Sequence, residues 1–236
     1  MLKKLFMGIH PQGLYTHDQL KPTLILLLSA ILPTVHLYLG SIEFAQKTFP
    51  SFGEFETSTF MFFSMFFLMG IIPLLIIKLV FKEALKDYGI RFGDWRNGLP
   101  LSIILLLIIT GLMLFPSAQV PEFRDAYPFD KTAGDSIFNF LRFEILRGLF
   151  FYTAWEFFFR GFILFGLKKY VGDWLAICIQ TIPSCLWHVG LPTGEIFASI
   201  AAGILFGIIA VRTHSILWIF ILHYLIGVLL DLFIII

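Results

Sequence analysis

Long apolar runs broken by short polar punctuation dominate the chain, and most of them exceed the helix length of a water-soluble domain. A membrane-spanning helix needs roughly 20 mainly apolar residues, with a range of about 17 to 25. Seven stretches meet that requirement: 22–41, 59–81, 99–116, 137–169, 173–189, 194–211 and 215–235. The fourth is longer than a span needs, and its opening turns, with Arg142, Glu144 and Arg147, are expected at or above the membrane surface. Pro33, Pro73 and Pro183 fall inside these runs, where neighbouring helices can satisfy the backbone groups that proline frees. Gly172-Asp173 reads as a helix stop followed by an N-cap, and Ser215 as the cap of the last helix. The pattern predicts an all-α polytopic membrane protein, with about seven transmembrane helices in one bundle and a single domain over residues 1–236.

Composition sharpens this. Apolar residues make up 58% of the chain, including 29 Phe, and charged residues only 14%, against about 25% in soluble domains. A net charge of +1 gives no electrostatic basis for a nucleic-acid partner. Cys178 and Cys185 are seven apart on one expected helix, too far along the axis to bridge. The N-terminal segment, with Lys3 and Lys4, is too short in apolar residues for a secretory signal and reads as a cytoplasmic or interfacial arm.

Charge also gives orientation. Lys82, Lys86, Arg91 and Arg96 lie between the second and third runs, whereas the first loop carries Glu43, Glu54 and Glu56. Basic loops stay inside, so the N-terminus is expected in the cytoplasm and, after seven spans, the C-terminus outside. Lys168, Lys169 and Arg212 then mark cytoplasmic helix ends, and 117–136 is the longest polar stretch on the outer side.

The informative residues are ionisable groups inside the spans, each costing about 2.5 to 3.5 kcal/mol on insertion scales. Glu156 and Arg160 lie in FYTAWEFFFRGF, His188 in CLWHVG and His223 in FILHYLIG. Counted at 1.5 Å per residue from the cytoplasmic marks, they lie at depths of roughly 18 Å (Glu156), 22 Å (His188) and 12 Å (His223). Glu156 and Arg160 have the spacing of an i,i+4 ion pair, which is sufficient reason for their presence if they act as a strut. The alternative is chemical: a carboxylate and an imidazole can hold and deprotonate a water, and a second imidazole can stabilise an oxyanion. Glu195, seven residues after His188, is either a favourable charge at a helix N-terminus or a second carboxylate on the same cavity. Asp231 is expected to be an ordinary solvated aspartate near the surface, and His36 and His214 receive no role. Ser199, Gly203 and Gly207 repeat at four-residue spacing, a pattern for close helix packing. Neither HExxH nor any other paired ligand spacing is present, so no metal and no cofactor is expected.

These residues stand in an order that resembles the CAAX prenyl protease type II and bacteriocin-processing (CPBP or Abi) intramembrane proteases, over a core of 137–233. The EExxxR motif of that family corresponds to Trp155-Glu156-Phe157-Phe158-Phe159-Arg160, FxxxH to Ser184 through His188, and HxxxN to His223 through Gly227. Trp155 replaces the first glutamate, the one thought to activate water in the family, and Gly227 replaces the asparagine. Pro192 and Glu195 follow the second motif, as in a WEFFFRG subgroup. The resemblance implies a glutamic-type intramembrane endopeptidase in a bacterial cytoplasmic membrane. Its substrate would be a peptide or protein, prenylated or not, met in membrane lipid. Glu156, His188 and His223 would be catalytic, and Arg160 and Glu195 supporting. The alternative is a non-catalytic binding or immunity protein on the same scaffold.

Overall fold

A computed structural model describes residues 17–236, which are helical with short connections. The N-terminal lysines Lys3 and Lys4 lie outside the described residues. Helix α1 spans His17–Leu39, followed by the short α2, Ile42–Thr48. Helix α3 covers Glu54–Phe81 and α4 covers Trp95–Ser117. A polar segment with the short helix α5, Pro121–Ala126, leads to α6, Ile137–Val171. Helices α7 (Asp173–Trp187), α8 (Thr193–Thr213) and α9 (Leu217–Ile235) complete the bundle.

Six of these helices (α1, α3, α4, α6, α8 and α9) are long and apolar enough to cross a membrane, and the protein is an all-α, multi-pass integral membrane protein. The fifth expected span, 173–189, forms α7 with only 15 residues, about 22 Å of helix against about 30 Å of hydrocarbon. The reason is local. His188 closes the last turn, Gly190 takes a positive φ of 99°, and Pro192 starts the next helix. The chain therefore turns back between His188 and Pro192.

Helix α6 is the axis of the bundle. In its apolar window 83% of the residues are buried within the protein, against 17–39% for the other five long helices. Trp155, Phe158, Phe159 and Phe162 form the core around it with Met65, Met69 and Phe62 of α3. Wide i→i+5 hydrogen bonding over Arg147–Tyr152 and Phe157–Phe165 flanks the α-helical turn Thr153–Glu156, a distortion often found beside functional groups. Small residues set the helix spacing. A Cβ on Gly203 would meet Thr181 at 2.7 Å and one on Gly207 would meet Ile177 at 3.0 Å, so the small-residue repeat of α8 seats α7.

At the end of the bundle rich in Lys and Arg, which we call the basic end, residues 89–95 clasp the α8–α9 turn. Arg91 Nε donates to the His214 carbonyl at 2.7 Å, and Asp94 N donates to the Thr213 carbonyl at 2.8 Å. At the opposite end, α5 lies by the α7–α8 turn, where Glu122 and Asp125 share a surface pocket with Gly190 and Pro192.

Several expectations change. Glu144 and Arg147 are buried within the bundle, and Asp231 is fully buried rather than solvated. Arg147 Nη1 lies 2.6 Å from Asp231 Oδ2, and its Nε lies 3.4 Å from Glu144 Oε2. The partner of each charge comes from another helix or another turn, which stretches taken singly do not show. His36 is also buried. It accepts a hydrogen bond from Trp187 Nε1 at 3.2 Å and lies 3.3 Å from the Met61 carbonyl, joining α1, α3 and α7.

Candidate active site

Four helices and one connecting segment supply the site. Helix α6 contributes Glu156 and Arg160, α7 ends at His188, α8 begins with Glu195 in its first turn, and α9 carries His223. Glu156 is fully buried, and its Oε1 accepts from His223 Nδ1 at 2.6 Å and from Arg160 Nη1 at 3.2 Å. The guanidinium of Arg160 also stacks over Phe206, 5.4 Å from the ring centre. The i,i+4 ion pair is therefore present, and it is extended to a third helix through His223.

His188 and Glu195 form the second group. His188 Nδ1 lies 2.7 Å from the Ser184 carbonyl, which fixes the proton on Nδ1 and leaves Nε2 as an acceptor. That Nε2 is 3.8 Å from Glu195 Oε1. The separation is too long for a direct hydrogen bond and suits one shared water. The hydroxyl of Tyr127 sits astride the Glu195 carboxylate, 2.8 Å from one oxygen and 2.9 Å from the other.

His188, Glu195 and His223 line one cavity of about 470 Å³ between α4, α8 and α9, together with Phe206, Phe123 and Leu112. Glu156 does not line this cavity. It stands behind His223 and forms part of the wall of a second, largely apolar cavity of about 450 Å³ toward the basic end. Trp155, in the position where the family motif has its first glutamate, separates the two groups. Its ring centre lies 5.3 Å from that of His188 and 6.0 Å from that of His223. Of the expected site residues, the structure thus brings His188, His223 and Glu195 to one space, with Glu156 and Arg160 in support of His223. Among the described residues, no group of three His, Cys, Asp or Glu side chains could hold a metal ion.

The sequence reading missed Tyr127 and the Glu144–Arg147–Asp231 cluster. No local pattern marks Tyr127, which lies in a polar connection. The cluster did leave a signal. Arg147 stands nine residues before Glu156 on α6, and Asp231 eight residues after His223 on α9. In antiparallel helices joined at Glu156–His223, those offsets of roughly 12 to 13 Å bring the second pair together. Gly227 is its necessary complement. A Cβ there would collide with the Tyr152 hydroxyl and stand 2.5 Å from Arg147 Nη2.

Residues 138–229 match the family model described as Type II CAAX prenyl endopeptidase Rce1-like. No curated protein matches the chain, and no solved structure does. The matched stretch contains every residue of the two histidine-centred groups described above except Tyr127. Over that stretch, about two-fifths of the chain, the protein is similar to Rce1-like type II CAAX prenyl endopeptidases.

Proposed function

We propose that this protein is an intramembrane endopeptidase that hydrolyses a peptide bond in the cavity shared by His188, Glu195 and His223. The observation that carries this reading is the 3.8 Å gap between His188 Nε2 and Glu195 Oε1 on the wall that His223 also lines. Two acceptors at that spacing can take both protons of one water, leaving its lone pairs toward the cavity. Glu195 then removes a proton as general base while His188 holds the water. Attack on the peptide carbonyl develops an oxyanion. His223, backed at Nδ1 by the Glu156 carboxylate, can offer Nε2–H to it as an imidazolium. Arg160 holds Glu156 in register. Protonated Glu195 finally returns its proton to the leaving amine.

In this scheme Glu195 takes the water-activating role, and Glu156 orients and charges the oxyanion-binding histidine. Trp155 supports that division, because it fills the space beside both imidazoles that another carboxylate would need. The family description names a prenyl endopeptidase, and a cavity walled by Phe206, Leu112 and Met113 suits a substrate with an apolar appendage. We place the N-terminus and the basic end in the cytoplasm, from the distribution of Lys and Arg, and the single domain over the whole chain.

The test is hydrolysis of fluorogenic peptides, with and without a farnesyl group, by the purified full-length protein. Glu195→Gln and His188→Ala should each lower kcat by about 10²- to 10⁴-fold, the usual worth of general acid–base catalysis. Full activity in Glu195→Gln would return the water-activating role to Glu156. Peptide binding with no turnover by the wild type would leave a non-catalytic binding protein as the better reading.

A further inference from the structure

We infer that Tyr127 is a positioning residue for Glu195, brought to the site from outside the family-matched region by the α4–α6 connection. The inference rests on the peptidase reading for its kinetic consequence, and on geometry for the contact itself. Tyr127 is only 7% exposed, and its hydroxyl meets both Glu195 oxygens at nearly equal distance, 2.8 and 2.9 Å. A donor in that position fixes the rotation of the carboxylate about its last bond. Glu195 otherwise has His188 at 3.8 Å, with the Arg147–Asp231 pair and Tyr152 in its wider surroundings. Without the tyrosine, the carboxylate could turn its oxygens away from His188.

The backbone around Tyr127 is moored so that the ring points inward. Lys131 Nζ donates to the Tyr127 carbonyl at 2.7 Å and to the Arg124 carbonyl at 2.8 Å. The Lys131 amide donates to Glu54 Oε2 at 2.7 Å, which ties the segment to the start of α3. Asp130 Oδ1 closes a turn on Thr132 N at 3.0 Å, and Asn139 of α6 donates to the Thr132 carbonyl at 3.1 Å. Phe123, on the same segment, lines the cavity wall with Gly194. The connection is thus built to hold one hydroxyl over one carboxylate and to close the end of the cavity above it.

Tyr127→Phe keeps the ring and its packing on Phe129, 5.0 Å away between centres, and deletes only the hydroxyl. The expected result is a kcat lower by about 10- to 100-fold, the worth of one hydrogen bond to a charged group, with KM near wild type and the unfolding midpoint lower by only a few degrees. Infrared difference spectroscopy should also move the carboxylate band that Glu195→Gln removes. An unchanged kcat beside an active wild type would overturn the positioning role while leaving the peptidase standing. An unmoved Glu195 band would overturn the contact itself. A moved band in a protein without turnover would support the contact and defeat the peptidase reading.

Discussion

Replacing Glu156 by glutamine should destabilise the protein strongly, and the loss should be recovered by a second substitution at Arg160. The glutamine keeps the volume and can still accept from His223 Nδ1, now 2.6 Å from the carboxylate. What disappears is the counter-charge 3.2 Å from Arg160, in a pair whose side chains are 0% and 2% exposed. Arginine cannot relieve its burial by losing a proton. Removing one partner of a buried pair costs about 3 to 5 kcal/mol, whereas replacing both by apolar or neutral groups is often close to neutral. For a chain of this size each kcal/mol moves the unfolding midpoint by about 2 to 4 °C, so Glu156→Gln should unfold on the order of 10 °C below wild type. The assay is thermal unfolding in one fixed detergent, followed by tryptophan fluorescence. Wild type, Glu156→Gln, Arg160→Met and the double variant would be compared as a cycle. The double variant should regain most of the midpoint without regaining turnover, because His223 has lost its carboxylate. If the two single losses simply add in the double variant, the pair is not coupled, and the account of Arg160 as the keeper of Glu156 is refuted.

Two further outcomes are expected. Gly227→Ala should cost about 1 to 3 kcal/mol, the usual penalty for overpacking, because the new Cβ meets both Tyr152 and Arg147; Tyr152→Phe should relieve part of it in thermal unfolding. At the basic end, burial pushes the Glu83 carboxyl up, but hydrogen bonds from Lys21 and Tyr88 outweigh it and hold the group below its ordinary value. A depressed folded-state pKa contributes stability above the unfolded value, about 4.3, and loses it as pH falls through the folded value. The unfolding midpoint between about pH 6 and 3 should therefore fall less steeply in Glu83→Gln than in wild type, and parallel curves would remove Glu83 from the acid response.

The membrane class and the long helices were legible because hydrophobicity over some 20 residues is a local property, and so is its interruption by a charge. For the same reason Glu156, Arg160, His188 and His223 stood out. Their grouping was not local. The depths counted along each helix gave one layer but could not give helix rotation, and rotation puts Glu156 behind His223 rather than beside His188. Asp231 shows the limit most plainly: near a helix end it reads as solvated, and only the register of α9 against α6 reveals that Arg147 awaits it. The shortness of α7 was visible in principle, since Gly190 and Pro192 are turn residues, but apolar content carried the expected span through to residue 189. Tyr127 had no signal at all, because a tyrosine in a polar connection is ordinary until its hydroxyl is found on a buried carboxylate.

The shortness of α7 bears on how the protein sits among lipids. A helix about 8 Å shorter than the hydrocarbon layer would normally be accommodated by thinning of the surrounding bilayer, at a cost for each ångström of mismatch. Here the short helix at 121–126 lies against the α7–α8 turn, at the end where α7 stops short. Polar protein thus descends where lipid would have to stretch or compress. The molecule carries a fixed dimple in the face opposite its basic end, and its floor is the turn that follows His188. Because protein rather than lipid sets the depth of that dimple, the distance from bulk water to His188 and Glu195 should stay constant in host membranes of different thickness, while the six long helices tilt to match.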